Sequence, residues 1–81
     1  MNVHVLVSEI NGLLDVEVFT SRIKMTTRKT SMNSARKCYM FPPVNVGRNV
    51  EGLLQIAKLV NDIHVRGPVK VLEGMEDDID D

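Results

Sequence analysis

The 81-residue sequence predicts a small α+β domain, in which an antiparallel β-sheet of about four to five strands, in ββββαβ order, carries one amphipathic helix packed on one face. Three observations predict this fold. Apolar and polar residues alternate on both sides of Asn11-Gly12, they alternate again between residues 22 and 41, and residues 50–65 repeat apolar side chains at helical spacing. A chain of this length supports one domain, which we expect to span residues 1–72.

Residues 3–10 and 13–20 are predicted to form a β-hairpin, because Asn11-Gly12 suits the two positive-φ positions of a type I′ turn. A two-residue loop predicts that one almost purely apolar face is built from the pairs Ile10–Leu13, Val7–Val16, Val5–Val18 and Val3–Thr20. The other face then pairs Ser8 with Asp15, Leu6 with Glu17 and His4 with Phe19. A slip of one residue would bury both acids, so the turn and the pattern specify the same register.

A second, basic hairpin is predicted for residues 22–41. Residues 22–28 alternate as a strand, residues 29–35 are small and polar as in a loop, and residues 36–41 alternate again. Pro42-Pro43 ends this strand, because proline cannot donate a hydrogen bond to a β-ladder.

Residues 50–65 form the predicted helix, with Asn49 or Asn45 as its N-cap and Gly67-Pro68 as its stop signal. We expect the helix to pack on the sheet through its apolar stripe, which includes Leu53, Leu54, Ala57 and Val60. Gly52 in its first turn is expected to cost about 1 kcal/mol relative to alanine. Residues 69–72 are long enough for a short last strand, and residues 73–81 are expected to form an acidic, flexible tail.

The formal net charge of −1 conceals a strong segregation of charge along the chain. Residues 18–50 carry seven lysine and arginine residues and no acid, whereas residues 73–81 carry six carboxylates. Such a pattern favours interaction with a charged partner. A chain this short buries a modest core, so we also expect a partner or a homodimer to add to its buried surface.

The sequence does not predict an enzyme, a cofactor or a metal site. It lacks a phosphate-binding glycine loop, and His4, Cys38 and His64 are far apart along the chain. Cys38 has no local base to activate it and is expected to be a small buried residue. The sequence shows no signal peptide and no apolar run of the roughly 20 residues that span a bilayer, so we expect a cytoplasmic protein of a cell or of an infected host cell.

Two functions fit the charge pattern. In the first, a non-enzymatic accessory protein binds nucleic acid through the basic hairpin, and the acidic tail moderates binding by competing for the same surface. Cations would contact phosphates and an aromatic ring would stack on a base; the candidate residues are Arg22, Lys24, Arg28, Lys29, Arg36, Lys37 and Tyr39. The alternative for these cations is that they solvate a strand edge and prevent edge-to-edge pairing.

In the second function, a small inhibitor or adaptor of the phage type binds a basic, nucleic-acid-binding host protein by imitating DNA. The residues that would contact this partner are acidic: Glu73, Glu76, Asp77, Asp78, Asp80 and Asp81. The alternative for the tail is that it only increases solubility.

Overall fold

The fold is a small α+β domain, seen in a computed structural model that describes residues 1–32 and 34–72. In chain order the elements are β1 (Asn2–Ile10), β2 (Leu13–Phe19), α1 (Arg22–Ser31), β3 (Lys37–Met40), β4 (Val44–Asn45) and α2 (Val50–Arg66). The predicted α+β class is therefore confirmed, whereas the predicted ββββαβ order with a single helix is wrong. The tail at residues 73–81 lies outside the described residues.

The first hairpin has the predicted turn and register. Asn11 and Gly12 both have positive φ, at 52° and 79°, as a type I′ turn requires. Strand β1 pairs with β2 antiparallel, with Val7 opposite Val16 and Leu6 opposite Glu17. The pair Ile10–Leu13 also forms, but it lies an odd number of residues from Val7 and therefore points to the other face of the sheet, where Leu13 is exposed.

Strand β1 is the centre of the sheet, with β2 on one side and both β3 and β4 on the other. The strand predicted at residues 36–41 is confirmed as β3, which pairs antiparallel with β1. Pro42-Pro43 interrupts the ladder, and the chain then rejoins β1 as β4, where Val44 lies opposite Val3. The strands β3 and β4 therefore act as one edge with a proline break.

The strand predicted at residues 22–28 is wrong, because this segment is part of helix α1. Ser21 caps the helix, and its hydroxyl accepts a hydrogen bond from the Lys24 amide. The predicted alternation placed Ile23 and Met25 on one face. In the helix they point in nearly opposite directions, and Ile23 is 78% exposed whereas Met25 is 4% exposed. The predicted loop at residues 29–35 is correspondingly shorter, because the helix continues to Ser31.

The two long helices lie on opposite faces of the sheet. Helix α1 covers the face that includes Leu6, since its Arg28 contacts Glu17, the cross-strand neighbour of Leu6. The main core lies on the other face, where Val5 and Val7 of β1 belong to the same buried cluster as Ile63 of α2. The domain therefore has three layers, and neither sheet face is left to solvent as the predicted single helix would leave it.

Helix α2 forms as predicted, with Asn49 as its N-cap and Gly67 as its C-cap. Its rotation about its own axis differs from the prediction, because Ile63 and Gly52 are its buried residues. The predicted core residues Leu53 and Leu54 are instead 67% and 66% exposed. Ala57 is exposed as well, and Val60 is only half-buried.

A contact between two glycines explains this rotation. A Cβ atom on Gly52 would lie 1.6 Å from the carbonyl oxygen of Gly47, so the first turn of α2 rests directly on the backbone that precedes it. Because only glycine allows such an approach, residue 52 must face the loop, and the stripe with Leu53 and Leu54 must turn outward.

The short strand predicted at residues 69–72 is wrong, because residues 68–72 are helical. Pro68 suits the first position of a helix, where its missing N–H group is not needed. Gly67, at φ 86°, therefore separates two helical segments. Val71 from the second segment belongs to the main core cluster.

Candidate nucleic-acid interface

Helix α1 carries four of the seven cations found between residues 18 and 50: Arg22, Lys24, Arg28 and Lys29. Met25 points toward the sheet. At 3.6 residues per turn, Ile23, Thr27 and Thr30 form the crest that points away from it. We refer to these three residues as the crest of α1.

Cations flank this crest on both sides. Lys24 and Arg28 project from the flank nearer β2, since Arg28 reaches Glu17 of that strand. Arg22 and Lys29 project from the other flank, where Arg22 lines a groove with Pro42 and Pro43. The helix contains no acidic residue. All four side chains are exposed, and they leave the helix within about 100° of Met25, so positive charge borders the base of the helix on both sides of the crest.

Two of the predicted cations form ion pairs with the acids of β2. The Arg28 Nε atom lies 3.1 Å from Glu17 Oε2, and the Arg28 side chain remains 44% exposed. The Arg36 Nη1 atom lies 3.9 Å from Asp15 Oδ2 and donates a hydrogen bond to the buried Ser8 hydroxyl at 3.2 Å. Arg36 is thereby held against the sheet, whereas Arg28 can reach outward at little cost, because an exposed pair contributes at most about 1 kcal/mol.

Hydroxyl groups add to the polar surface of α1. The side chains of its threonines and its serine donate hydrogen bonds to backbone carbonyl groups three or four residues earlier: Thr26 to Arg22, Thr27 to Ile23, Thr30 to Thr26 and Ser31 to Arg28. Each hydroxyl oxygen keeps lone pairs but has committed its proton to the helix. These hydroxyls therefore fix the surface of α1, and phosphate binding falls to the lysine and arginine side chains.

The structure does not bring Lys37 and Tyr39 to this surface. Tyr39 pairs with Val7 and packs against the main core cluster, on the face that α2 covers. Lys37 lies two residues earlier on the same strand, so it shares that face and stands opposite Glu9. Phe41 is buried. Tyr39, the ring expected to stack on a base, therefore lies beside the core, and Phe41 is part of it.

A shallow groove of about 470 Å³ runs along α1 between its first turns and Pro42-Pro43. Its walls include Met25 and Met40, and its charged or titratable side chains are His4 and Arg22. The groove offers apolar walls and one permanent positive charge, which suits contact with an anionic ligand more than acid–base chemistry.

The sequence identified the cations of α1 but not its crest. A strand would place Ile23 and Thr27 on the same face as Met25, and only a helix turns them to the opposite side. The signal was present in the spacing of Met25 and Met32, which are seven residues apart and therefore share one side of a helix, and in Ser21, a favourable N-cap. Met32 continues inward, where its sulfur lies 3.6 Å from Cys38 Sγ. The six acidic residues predicted to bind a protein partner lie outside the described residues.

Within residues 1–32 and 34–72, no three His, Cys, Asp or Glu side chains come together as a metal site. No helix in the described part of the chain has the length and apolar character needed to cross a membrane.

Comparison of the chain with protein-family models, with curated proteins and with solved structures finds no match.

Proposed function

We propose that this protein is a non-enzymatic accessory protein that binds nucleic acid through the exposed side of α1. The observation that carries the proposal is the row of cations on each flank of an acid-free helix. Lys24 and Arg28 on one side and Arg22 and Lys29 on the other can each contact a phosphate, and such contacts supply most of the affinity of sequence-independent binding.

The shape of this surface favours duplex DNA over a single strand. The major groove of B-DNA is about 12 Å wide and admits an α-helix, with a wall of phosphates on each side. A convex crest with cations on both flanks matches that arrangement. Single-strand binding instead relies on exposed aromatic rings, and Tyr39 and Phe41 pack with the core.

The acidic tail at residues 73–81 completes the proposal as a competitor for this surface. Its six carboxylates would be attracted to the cations of α1 and would weaken DNA binding most at low salt, where charges are least screened.

The direct test measures DNA binding of a triple variant in which Arg22, Lys24 and Lys29 are replaced by Gln. Fluorescence anisotropy with a short labelled duplex and with one of its strands, at about 50 and about 200 mM salt, gives the affinity and its salt dependence. We expect weaker binding and a salt slope reduced by about 0.9 for each phosphate that the variant no longer neutralises. Equal affinity of the variant and the unaltered protein would refute the proposal.

The matched control removes three cations from the side of the molecule that carries α2, by replacing Arg48, Arg66 and Lys70 with Gln. Both triple variants have the same net charge, so only the position of the charges differs. We expect the control to keep most of the affinity. If both variants lose binding equally, net charge alone explains the interaction and α1 is not the binding surface.

A third protein tests the tail. Replacing its six carboxylates with amides in the full chain moves the formal net charge from −1 to +5. We expect tighter DNA binding, with a gain that shrinks as salt rises. If instead this change abolishes binding to a basic protein partner and leaves DNA binding unaltered, the inhibitor function is correct.

A further inference from the structure

Helix α2 has apolar residues on two sides, and the sheet covers only one of them. Ile63 faces the core, Gly52 rests on the backbone of Gly47, and Leu59 packs against the core cluster. The outer side carries a stripe of four residues at helical spacing: Val50, Leu53, Leu54 and Ala57. We refer to these four as the outer stripe. A surface helix normally has one apolar stripe, which faces the core, so a second stripe on the solvent side calls for a partner.

The outer stripe is strongly exposed. Val50 is 69% exposed, and Leu53 and Leu54 have similar values. A groove of about 350 Å³ continues the apolar surface from Val50 and Leu53 to Met1 and Ile56. Scattered exposed apolar residues are ordinary, but a contiguous patch of this kind marks an interaction site.

We propose that the outer stripe binds a second copy of this chain, with the two α2 helices antiparallel. The stripe is symmetric about the midpoint between Leu53 and Leu54. A two-fold axis through that point places Val50 against Ala57 of the second copy and Leu53 against its Leu54. Each contact then occurs twice, as an isologous dimer requires, and the small Ala57 side chain allows the helices to approach closely.

Charged residues beside the stripe specify this orientation. Glu51 and Lys58 are both exposed and share one flank of the outer stripe. With a rise of about 1.5 Å per residue, the antiparallel dimer places Glu51 about 3 Å along the axis from Lys58 of the second copy. The pair forms twice. A parallel arrangement would instead place the flank with Glu51 and Lys58 against the opposite flank of the second copy, so neither of these ion pairs would form.

The size of the surface indicates moderate affinity. Helix α2 has 17 residues and is about 26 Å long. One helix face buries less than the roughly 800 Å² per partner of a standard stable interface. We therefore expect a dimer that dissociates with a Kd on the order of micromolar, so that both states can be measured.

Sedimentation equilibrium over about 1 µM to about 1 mM protein tests the proposal. The unaltered chain should pass from 9.1 kDa to twice that mass. Leu54→Lys places two like charges at the two-fold axis and should raise the dimer Kd at least about tenfold. The matched control is Leu13→Lys, which alters an apolar residue of β2 that is 73% exposed and lies in neither proposed surface, and it should leave the Kd unchanged.

Charge exchange tests the orientation. Glu51→Lys alone and Lys58→Glu alone should each weaken the dimer, because each leaves like charges opposed. The double variant should recover the original Kd, since the same two pairs form with reversed sign. Circular dichroism of each variant at low concentration confirms that the helix is intact.

A chain that stays monomeric at the highest concentration would overturn the proposal, and the outer stripe would then serve a different protein. A dimer that Leu54→Lys leaves unaffected would place the interface elsewhere, and a double variant that fails to recover would refute the antiparallel register. None of these results depends on DNA, so they are independent of the proposed function.

Discussion

Replacing Gly52 with alanine tests the contact between the first turn of α2 and Gly47. Helix propensity predicts that this change raises the free energy of unfolding, whereas the structure predicts that it lowers it. In an exposed helical position, glycine to alanine stabilises a helix by about 1 kcal/mol. Here the new methyl group would lie 1.6 Å from the Gly47 carbonyl oxygen, whereas ordinary contacts begin at 3.4 Å. The helix or the loop must therefore move by about 2 Å to admit it.

That movement endangers two hydrogen bonds that hold the loop to the helix. The Gly47 amide donates to Gln55 Oε1 at 3.0 Å, and the Glu51 amide donates to the Asn49 cap at 3.1 Å. Overpacking costs about 1–3 kcal/mol, and disruption of the cap adds about 1 kcal/mol. After the gain in propensity is subtracted, we expect Gly52→Ala to lower the free energy of unfolding by about 1–3 kcal/mol.

Thermal unfolding followed by circular dichroism measures this change. For a domain of this size each kcal/mol lowers Tm by about 4–8 °C. Asn61→Ala, at an exposed position of the same helix, is the control for propensity and should leave Tm unchanged or slightly raised. Gly47→Ala should be milder than Gly52→Ala, because its nearest contact is 3.3 Å. A rise in Tm for Gly52→Ala would refute the close approach of the two backbones.

Three further changes test the fold. Gly12→Val should lower the free energy of unfolding by about 1–2 kcal/mol, because a β-branched residue is forced to positive φ although no neighbouring atom obstructs it. Gly12→Asn should cost less, and equal losses for the two variants would argue against the type I′ turn. Ile63→Ala should lower the free energy of unfolding in urea by about 2–5 kcal/mol, because Ile63 is fully buried. Leu54→Ala, measured at low protein concentration, should change it by less than about 0.5 kcal/mol, because Leu54 is exposed. The reverse order would mean that α2 packs through its other side. A double-mutant cycle on Glu17→Gln and Arg28→Gln should give a coupling of at most about 1 kcal/mol that falls with salt, and a larger, salt-independent value would indicate a buried pair.

The parts of the fold that local physics determines were predictable from the sequence. Asn11-Gly12 and the alternation around it specify both the turn and the register of the first hairpin, and Asn49 and Gly67 mark the ends of α2. Residues 22–28 could not be assigned in this way. Ile23 and Met25 are two residues apart, which is the spacing of one face of a strand. The segment is helical because Ser21 caps it and Met25 packs against the sheet.

The rotation of α2 was not predictable, because its sequence contains two apolar stripes of similar strength. The close approach of Gly52 to the Gly47 backbone determines which stripe faces the core, and the spacing of apolar residues does not reveal that contact. Only part of the candidate site was predictable from the sequence. The absence of acids between residues 18 and 50 located its cations, but only the strand register shows that Tyr39 faces the core.

The three-layer arrangement has a consequence for how two copies would engage DNA. Helices α1 and α2 lie on opposite faces of the sheet, about 20 Å apart if each layer is about 10 Å thick. A pair joined along α2 would hold its two α1 helices about 50 Å apart and facing outward in opposite directions. Such a pair cannot read two half-sites on one side of a single duplex, as helix-turn-helix dimers do. It would instead cross-link two duplexes, and its activity would be measured as DNA bridging.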